Sequence, residues 1–149
     1  MNALKQFKGQ SVWAVLGALV VTLSGCAGGL VLSGDQQNPP VTTSATGSGT
    51  ITVGADKSVS GSITTTGVAA TAAHIHNGAP GKSGPVVIGL TKTGDNVWSV
   101  PAGAKLTDAQ YAEYQAGNLY VNVHSAANKG GEIRGQLKFE KGQGSGMGY

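Results

Sequence analysis

Cysteine, charged residues and aromatic residues are scarce in this sequence, and each shortage narrows what the protein can be. Only one of the 149 residues is a cysteine, Cys26, so the chain cannot form an internal disulfide. Charged residues make up 11% of the chain, against about 25% in an average soluble domain. Because the formal charge is only +3, aromatic residues are 5% and basic residues do not cluster, we expect no nucleic acid partner.

Glycine, threonine and serine are abundant instead, and they favour strands and turns over helices. The chain contains 25 glycines, which suit tight turns, and threonine has a high strand propensity. Apolar and polar residues alternate in "GTITVGADKSVSGSITTTG" (49–67), which predicts a hairpin that turns at "GADKS". Further strands are predicted in "VAATAAHIH", "GPVVIGLTKTG", "NVWSVP", "NLYVNVH" and "GEIRGQLKF".

One helix interrupts the strands, in "LTDAQYAEYQAG" (106–117). Thr107 is its predicted N-cap, Gln110 completes a capping box, and Gly117 ends the helix. About seven short strands with turns between them predict an all-β fold, an antiparallel sandwich or barrel. The single short helix fits this fold as a crossover connection.

The first 25 residues have the pattern of an export signal. "MNALKQFKGQ" carries two lysines and no acid, and an uninterrupted apolar run follows at 12–23. The tetrad "LSGC" (23–26) resembles a bacterial lipobox, which implies cleavage before Cys26 and a diacylglycerol on its sulfur. Ala27 follows the cysteine, which in Gram-negative lipoproteins implies sorting to the outer membrane. We therefore expect membrane lipid as a partner and a lipid-anchored location in the bacterial cell envelope, facing the periplasm or the cell surface.

A transmembrane anchor is the alternative for this segment. No charged residue lies between Val12 and Leu32, a stretch long enough to cross a bilayer. However, three glycines in "SGCAGG" (24–29) would weaken a membrane-spanning helix, so the sequence favours the lipoprotein.

The composition also divides the chain into segments. A signal peptide at 1–25 precedes a lipidated flexible tether at 26–44, which is small, polar and interrupted by prolines. The folded domain is expected at 45–140. The tail at 141–149 is rich in glycine and is predicted to be disordered.

All three histidines of the chain fall on strand faces that are turned away from the predicted core. Side chains alternate along a strand, so the apolar Ile75 points inward while His74 and His76 share the opposite face. In "YVNVH" (120–124) the valines are the inward set, which leaves His124 on the outward face. If the two strands pair, three neutral imidazoles converge, a donor set that suits copper or zinc. A thiolate site is excluded, because the only cysteine is expected to be acylated.

The last hairpin adds polar neighbours to this set. Pairing across "SAANKGG" (125–131) puts Glu132 and Arg134 opposite the region of His124 and Asn122. Glu132 is placed to accept a ring N–H and fix a tautomer, while Arg134 is placed to hold an anion or to pin Glu132. A slip of one residue in register would undo this arrangement. The alternative is that the histidines are ordinary polar residues of a strand surface, with no metal.

Two stretches resemble a known family. "AHIHNGAPGKSGPVVIGL" (73–90) and "LTDAQYAEYQAGNLYVNVHSAANKGGEIRGQL" (106–137) are similar to the CHRD domain, which is named from chordin. The resemblance covers about residues 44 to 139 and implies a Greek-key antiparallel β-sandwich, immunoglobulin-like or superoxide-dismutase-like. CHRD domains occur in bacterial secreted proteins and in chordin, and the function of most is undefined.

The histidine motif also resembles that of the copper-zinc superoxide dismutases. That distant resemblance implies that His74, His76 and His124 are copper ligands. The bridging histidine and the zinc-binding residues of those enzymes have no counterparts, because no histidine is left over. A two-metal dismutase is therefore excluded.

Three functions remain open from the sequence. The first is a lipid-anchored envelope protein that binds one copper, or zinc, ion for sequestration, delivery or protection, with another envelope protein as a partner. The second is an interaction module without metal and without catalysis. The third is a copper-only redox enzyme in which Arg134 guides an anion. The sequence favours the first and favours a protein that is not an enzyme.

Overall fold

The structure is a computed structural model that describes residues 29–139. The predicted signal peptide, Cys26 with its lipidation motif and the predicted disordered tail lie outside the described residues. Within 29–139 no helix is long and apolar enough to cross a membrane. This part of the chain forms nine strands, one α-helix and a 3₁₀ turn: β1 (Leu30–Ser33), the 3₁₀ turn (Gly34–Gln36), β2 (Thr46–Val53), β3 (Val59–Thr66), β4 (Ala70–Asn77), β5 (Val86–Gly89), β6 (Thr91–Lys92), β7 (Val97–Ser99), α1 (Asp108–Gln115), β8 (Leu119–Ser125) and β9 (Ile133–Gln136).

The nine strands join one antiparallel sheet in the order β5-β4-β8-β9-β1-β2-β3-β7-β6. Only Leu90 separates β5 from β6, so the two edge strands are consecutive in the chain and the sheet nearly closes. Ile63 of β3 and Ile75 of β4 belong to the same buried cluster, although their strands lie far apart in the order. The sheet therefore curls around a single core, and the predicted all-β, sandwich-like fold class is confirmed.

Helix α1 connects β7 to β8, which are not neighbours in the sheet, so it is a crossover connection as predicted. The capping box is present: the Gln110 amide N–H donates to Thr107 Oγ1 at 3.2 Å, and the Thr107 amide N–H donates to Gln110 Oε1 at 2.9 Å. Gly117 follows the helix with φ of 78°, a conformation that glycine adopts without steric cost.

The folded part of the chain begins earlier than the expected boundary near residue 45. Residues 30–33, which the sequence predicts as part of a flexible tether, form β1 and pair with both β2 and β9. Leu32 is fully buried in the core, whereas Val31 on the other face is 61% exposed. Three of these four residues are apolar, so they show no alternation of apolar and polar residues from which a strand could be predicted. Pairing with a strand on either side is what defines this strand.

Candidate metal centre

The pairing of β4 with β8 brings the three histidines together. His74 lies opposite Asn122 and His76 opposite Tyr120, while His124 lies opposite Ala72. On the shared face His124 is therefore the diagonal neighbour of His74, a spacing that long side chains can bridge. Ile75 between the two β4 histidines is 1% exposed and points into the core, as its alternation with them predicts.

The three rings form one compact cluster. The ring centroids of His74, His76 and His124 are separated by 4.9 to 5.8 Å. His74 Nδ1 lies 3.1 Å from His124 Nε2. One nitrogen from each ring lies within 4.8 Å of the others. The sequence-based prediction that these three side chains meet therefore agrees with the geometry.

Two backbone carbonyls fix the tautomers of two rings. His76 Nδ1 donates to the carbonyl oxygen of Gly84 at 2.9 Å, and His124 Nδ1 donates to that of Lys129 at 2.9 Å. A carbonyl can only accept, so both Nδ1 atoms carry the proton and both Nε2 atoms present a lone pair. His124 Nε2 accepts from His74 Nδ1 in the absence of a metal ion. His76 Nε2 is buried and has no hydrogen-bond partner among residues 29–139.

Burial favours the neutral form of the His74 and His76 rings. It is the largest cause that lowers the pKa of His74 below the ordinary histidine value, and the neighbouring His124 and His76 rings lower it further. Burial is also the main cause that lowers the pKa of His76; the bond to Gly84 partly opposes it, and His124 and Arg134 add to it. At neutral pH both rings are therefore neutral: His76 presents the lone pair of Nε2 to the cluster, whereas His74 donates from Nδ1 to His124 until a metal ion takes the place of that proton.

The outward face of β4, β8 and β9 is covered rather than open to solvent. His76 is 8% exposed and Asn122 is 3% exposed, values typical of a protein interior. The loop at 78–85 covers His76, and the side chain of Gln37 covers Asn122, donating to its Oδ1 at 2.6 Å. The interpretation of these residues as ordinary strand-surface residues is therefore contradicted for His76, whereas His74 and His124 remain partly exposed.

Glu132 does not contact a histidine ring, contrary to the expectation from the sequence. Its carboxylate accepts from Ser125 Oγ and, at 2.8 Å, from Thr43 Oγ1. The bond from Ser125 is the largest cause that lowers the pKa of Glu132, followed by the bond from Thr43. The expectation was wrong because backbone carbonyls already accept the ring N–H groups of His76 and His124.

Arg134 neither binds Glu132 nor reaches solvent, although its predicted register opposite Asn122 is confirmed. It is 2% exposed, and its guanidinium donates to the carbonyl oxygens of Lys82 at 2.8 Å and Ala79 at 2.9 Å. Arg134 therefore fastens the loop whose Gly84 carbonyl orients His76. It cannot guide an anion from solvent as the redox hypothesis required.

Asn122 supports the site without touching a ring. Its side chain accepts from Gln37 and donates to the carbonyl oxygen of Gly130 at 3.1 Å. This second bond tethers the β8–β9 loop, which also carries the Lys129 carbonyl that orients His124. Asn122 therefore acts on the cluster through the loop backbone.

Little in the sequence pointed to the groups that orient the rings. The carbonyls of Gly84 and Lys129 belong to the backbone, which has no residue-specific signature. The glycine at position 84 is the one visible sign of the loop geometry in the sequence. The structure shows why it is needed, since a Cβ at position 84 would overlap the carbonyl oxygen of Asn77. Tyr120 was also missed, although strand alternation put it on the histidine face. Its ring stacks on His76 at 5.1 Å with an interplanar angle of 11°.

The donor set fits a metal ion that prefers nitrogen. Two imidazole nitrogens, each about 2.0 Å from a tetrahedral metal, lie roughly 3.3 Å apart. The separation of 3.1 Å between His74 Nδ1 and His124 Nε2 is close to that spacing. No carboxylate or thiolate belongs to the cluster within residues 29–139, which disfavours magnesium and calcium. Three ligands leave one position of a tetrahedron for water or another ligand.

Comparison with known proteins gives one match. A family model described as CHRD domain matches residues 29–137, a range that includes β1 and all three histidines. No curated protein and no solved structure matches the chain.

The lowered histidine pKa values predict how the metal-free protein responds to acid. Unfolded chains bind protons at histidine near pH 6.5, whereas the folded His74 and His76 resist protonation until the pH is lower. The unfolded state thus binds more protons, so the free energy of unfolding should fall as pH drops from about 7 to about 5. NMR titration should find the protonation midpoints of His74 and His76 below the ordinary histidine pKa. His76→Gln should make the free energy of unfolding in urea depend less on pH. A midpoint of His76 at or above about 6.5 would contradict this account.

Proposed function

This chain belongs to the CHRD-domain family, and we propose that its domain binds a single copper or zinc ion through His74, His76 and His124. The observation that carries the proposal is the buried Nε2 of His76, an acceptor with no donor among the described residues. An unsatisfied buried polar atom costs about 1–3 kcal/mol, so a native site of this kind implies an unseen partner. A proton is a poor candidate at neutral pH, because the pKa of His76 is lowered by burial.

The type of donor supports copper or zinc over ions that prefer oxygen, such as magnesium and calcium. All three ligands are neutral imidazoles, which suit copper, zinc, iron and nickel, and copper stands highest in divalent affinity. The Gly84 and Lys129 carbonyls hold two rings in the ligating tautomer. Such outer contacts usually contribute 10- to 100-fold, as an order of magnitude, to metal affinity. The site can therefore take up an ion with little rearrangement.

Holding and transferring the ion is the role that fits this centre best. The partly exposed His74 and His124 give the ion a route in and out, while His76 is buried. Arg134, the residue that a redox role would use to attract an anion, is buried and fully engaged with carbonyls. We therefore propose sequestration or delivery of the metal, with another envelope protein as donor or acceptor, and no catalysis.

We also propose that Cys26 carries a lipid that holds the domain at a membrane of the bacterial envelope, with the outer membrane favoured by Ala27. The lipobox-like "LSGC" supports this. Strand β1 begins at Leu30, only four residues after Cys26. Four extended residues span at most about 14 Å, so an acylated cysteine would keep the domain directly at the lipid surface.

The anchor can be tested by expressing the full chain in bacteria with a labelled fatty acid. We expect the wild type to take up the label and to sediment with membranes, because the lipid is on the Cys26 sulfur. Cys26→Ser should lose the label and keep the uncleaved apolar segment at 12–23, while Ser24→Ala, which keeps a small residue near the cysteine, should retain the label and the cleavage. A wild-type protein that sediments with membranes, uncleaved and without label, would favour the transmembrane alternative.

Metal binding can be tested by titrating the purified protein, separately, with Zn(II), Cu(II) and Cu(I). We expect one ion per chain, and His76→Ala should weaken binding by more than about 100-fold, because it removes a ligand and not only a supporting contact. Lys82→Ala is the matched control, since Lys82 contributes to the loop through its backbone N–H and carbonyl, which the substitution keeps. It should change affinity by less than about threefold, as expected for an exposed side chain. Unchanged affinity in His76→Ala, or no binding by the wild type, would leave an interaction module without metal.

A further inference from the structure

Arg134 is a buried cation without an anionic partner. It is 2% exposed, and no carboxylate of residues 29–139 forms an ion pair with it. All its hydrogen-bond acceptors are neutral: the carbonyls of Ala79 and Lys82 and the side-chain oxygen of Gln136. A lone buried charge is costly, and burial lowers the pKa of Arg134. An uncharged N–H donor could also bind these neutral acceptors. Hydrogen bonding to the loop therefore does not explain why the buried residue is charged.

The guanidinium of Arg134 stacks on Tyr120, the residue whose ring also contacts the histidine cluster. The guanidinium carbon of Arg134 lies 3.5 Å from the ring centre of Tyr120. The ring of Tyr120 in turn stacks on the ring of His76, with 5.1 Å between the two ring centroids. Arg134 therefore contacts the ring that stacks on His76, a proposed ligand. This ring is buried, so an aromatic side chain rather than water connects the cation with the cluster. Because Arg134, Tyr120 and His76 are all buried, the field of this cation is weakly screened at His76.

No negative charge at the cluster offsets that field. The three proposed ligands are neutral, and the nearest acid along the chain, Glu132, is bound to Ser125 and Thr43. Glu132 is also partly exposed, so water screens its charge more than that of Arg134. An ion at the centre would therefore meet a net repulsive field, and a divalent ion would feel twice the repulsion of a monovalent one.

We propose that Arg134 sets the charge preference of this centre, favouring a monovalent ion, Cu(I), over the divalent ions Zn(II) and Cu(II). This inference rests on the proposed function, since it concerns the same three histidines. Arg134 acts through the field that it exerts across Tyr120 and is not a ligand. For one extra unit of charge at about 10 Å and an effective dielectric constant of about 20, Coulomb's law gives a discrimination of roughly tenfold.

The test compares Cu(I) with Zn(II), because both ions have filled d shells and differ mainly in charge. Their affinities are measured by competition with chromophoric chelators, anaerobically and with a reductant for Cu(I). Arg134→Met keeps an unbranched stem but removes the charge, and it should shift the ratio of Cu(I) to Zn(II) affinity roughly tenfold towards zinc. Arg134→Lys keeps the charge and should keep the wild-type ratio within about threefold. Lys92→Gln makes the same change of charge at an exposed side chain of β6, outside the cluster and the loops that orient it, and it should leave the ratio unchanged.

The outcomes separate this inference from the proposed function. If neither ion binds the wild type, the proposed function fails and the inference fails with it. If both ions bind and Arg134→Met weakens them by the same factor, Arg134 only positions the loop and the inference alone is overturned. Circular dichroism checks the fold of each variant. If Arg134→Met does not fold, Arg134→Gln, which also removes the charge but keeps an N–H donor for the loop, decides: a shift of the ratio towards zinc supports the role of the charge, and an unchanged ratio contradicts it.

Discussion

The register between β4 and β8 is the constraint on which the candidate centre depends. Val121 and Val123 are fully buried on the core face, and this fixes His124 on the opposite face beside His74. Because side chains alternate, a shift of one residue would turn His124 towards the core and separate the cluster. Burial of the valines, worth roughly 1.5–3 kcal/mol each, therefore also stabilises the arrangement of the histidines. The position of the three proposed ligands is a consequence of the packing of the core.

A polar layer, made of the loop at 78–85 with Arg134 and Gln136, covers the outward face of the sheet and orients the ring of His76. Gln136 donates to the carbonyl oxygens of Gly78 and Gly117, and Arg134 donates within the same loop. These contacts hold the loop so that the Gly84 carbonyl faces His76 Nδ1. The layer excludes water from His76 and at the same time brings a positive charge near it. One small polar layer thus determines the tautomer, the desolvation and the electrostatic field of the centre.

Strand alternation in the sequence was sufficient to predict the all-β class, the hairpin at 54–58 and the shared face of the histidines, and the capping box was sufficient to predict the helix. What it could not predict depends on groups that are distant in sequence. Strand β1 is defined by pairing with β2 and β9, and its four residues show no alternating pattern of their own. The partners of the rings are backbone carbonyls, so a search for charged side chains pointed to Glu132 instead. The burial of Arg134 followed from a loop whose path the sequence does not specify.

X-ray absorption at the zinc edge of protein loaded with one equivalent of Zn(II) examines the cluster most directly, because it reports the atoms bound to the metal. The account predicts three imidazole nitrogens at about 2.0–2.1 Å, visible through the scattering of their rings, with one further light atom and no sulfur. A six-coordinate shell of oxygen atoms without imidazole scattering would contradict it, since the ion would then be bound away from the three histidines.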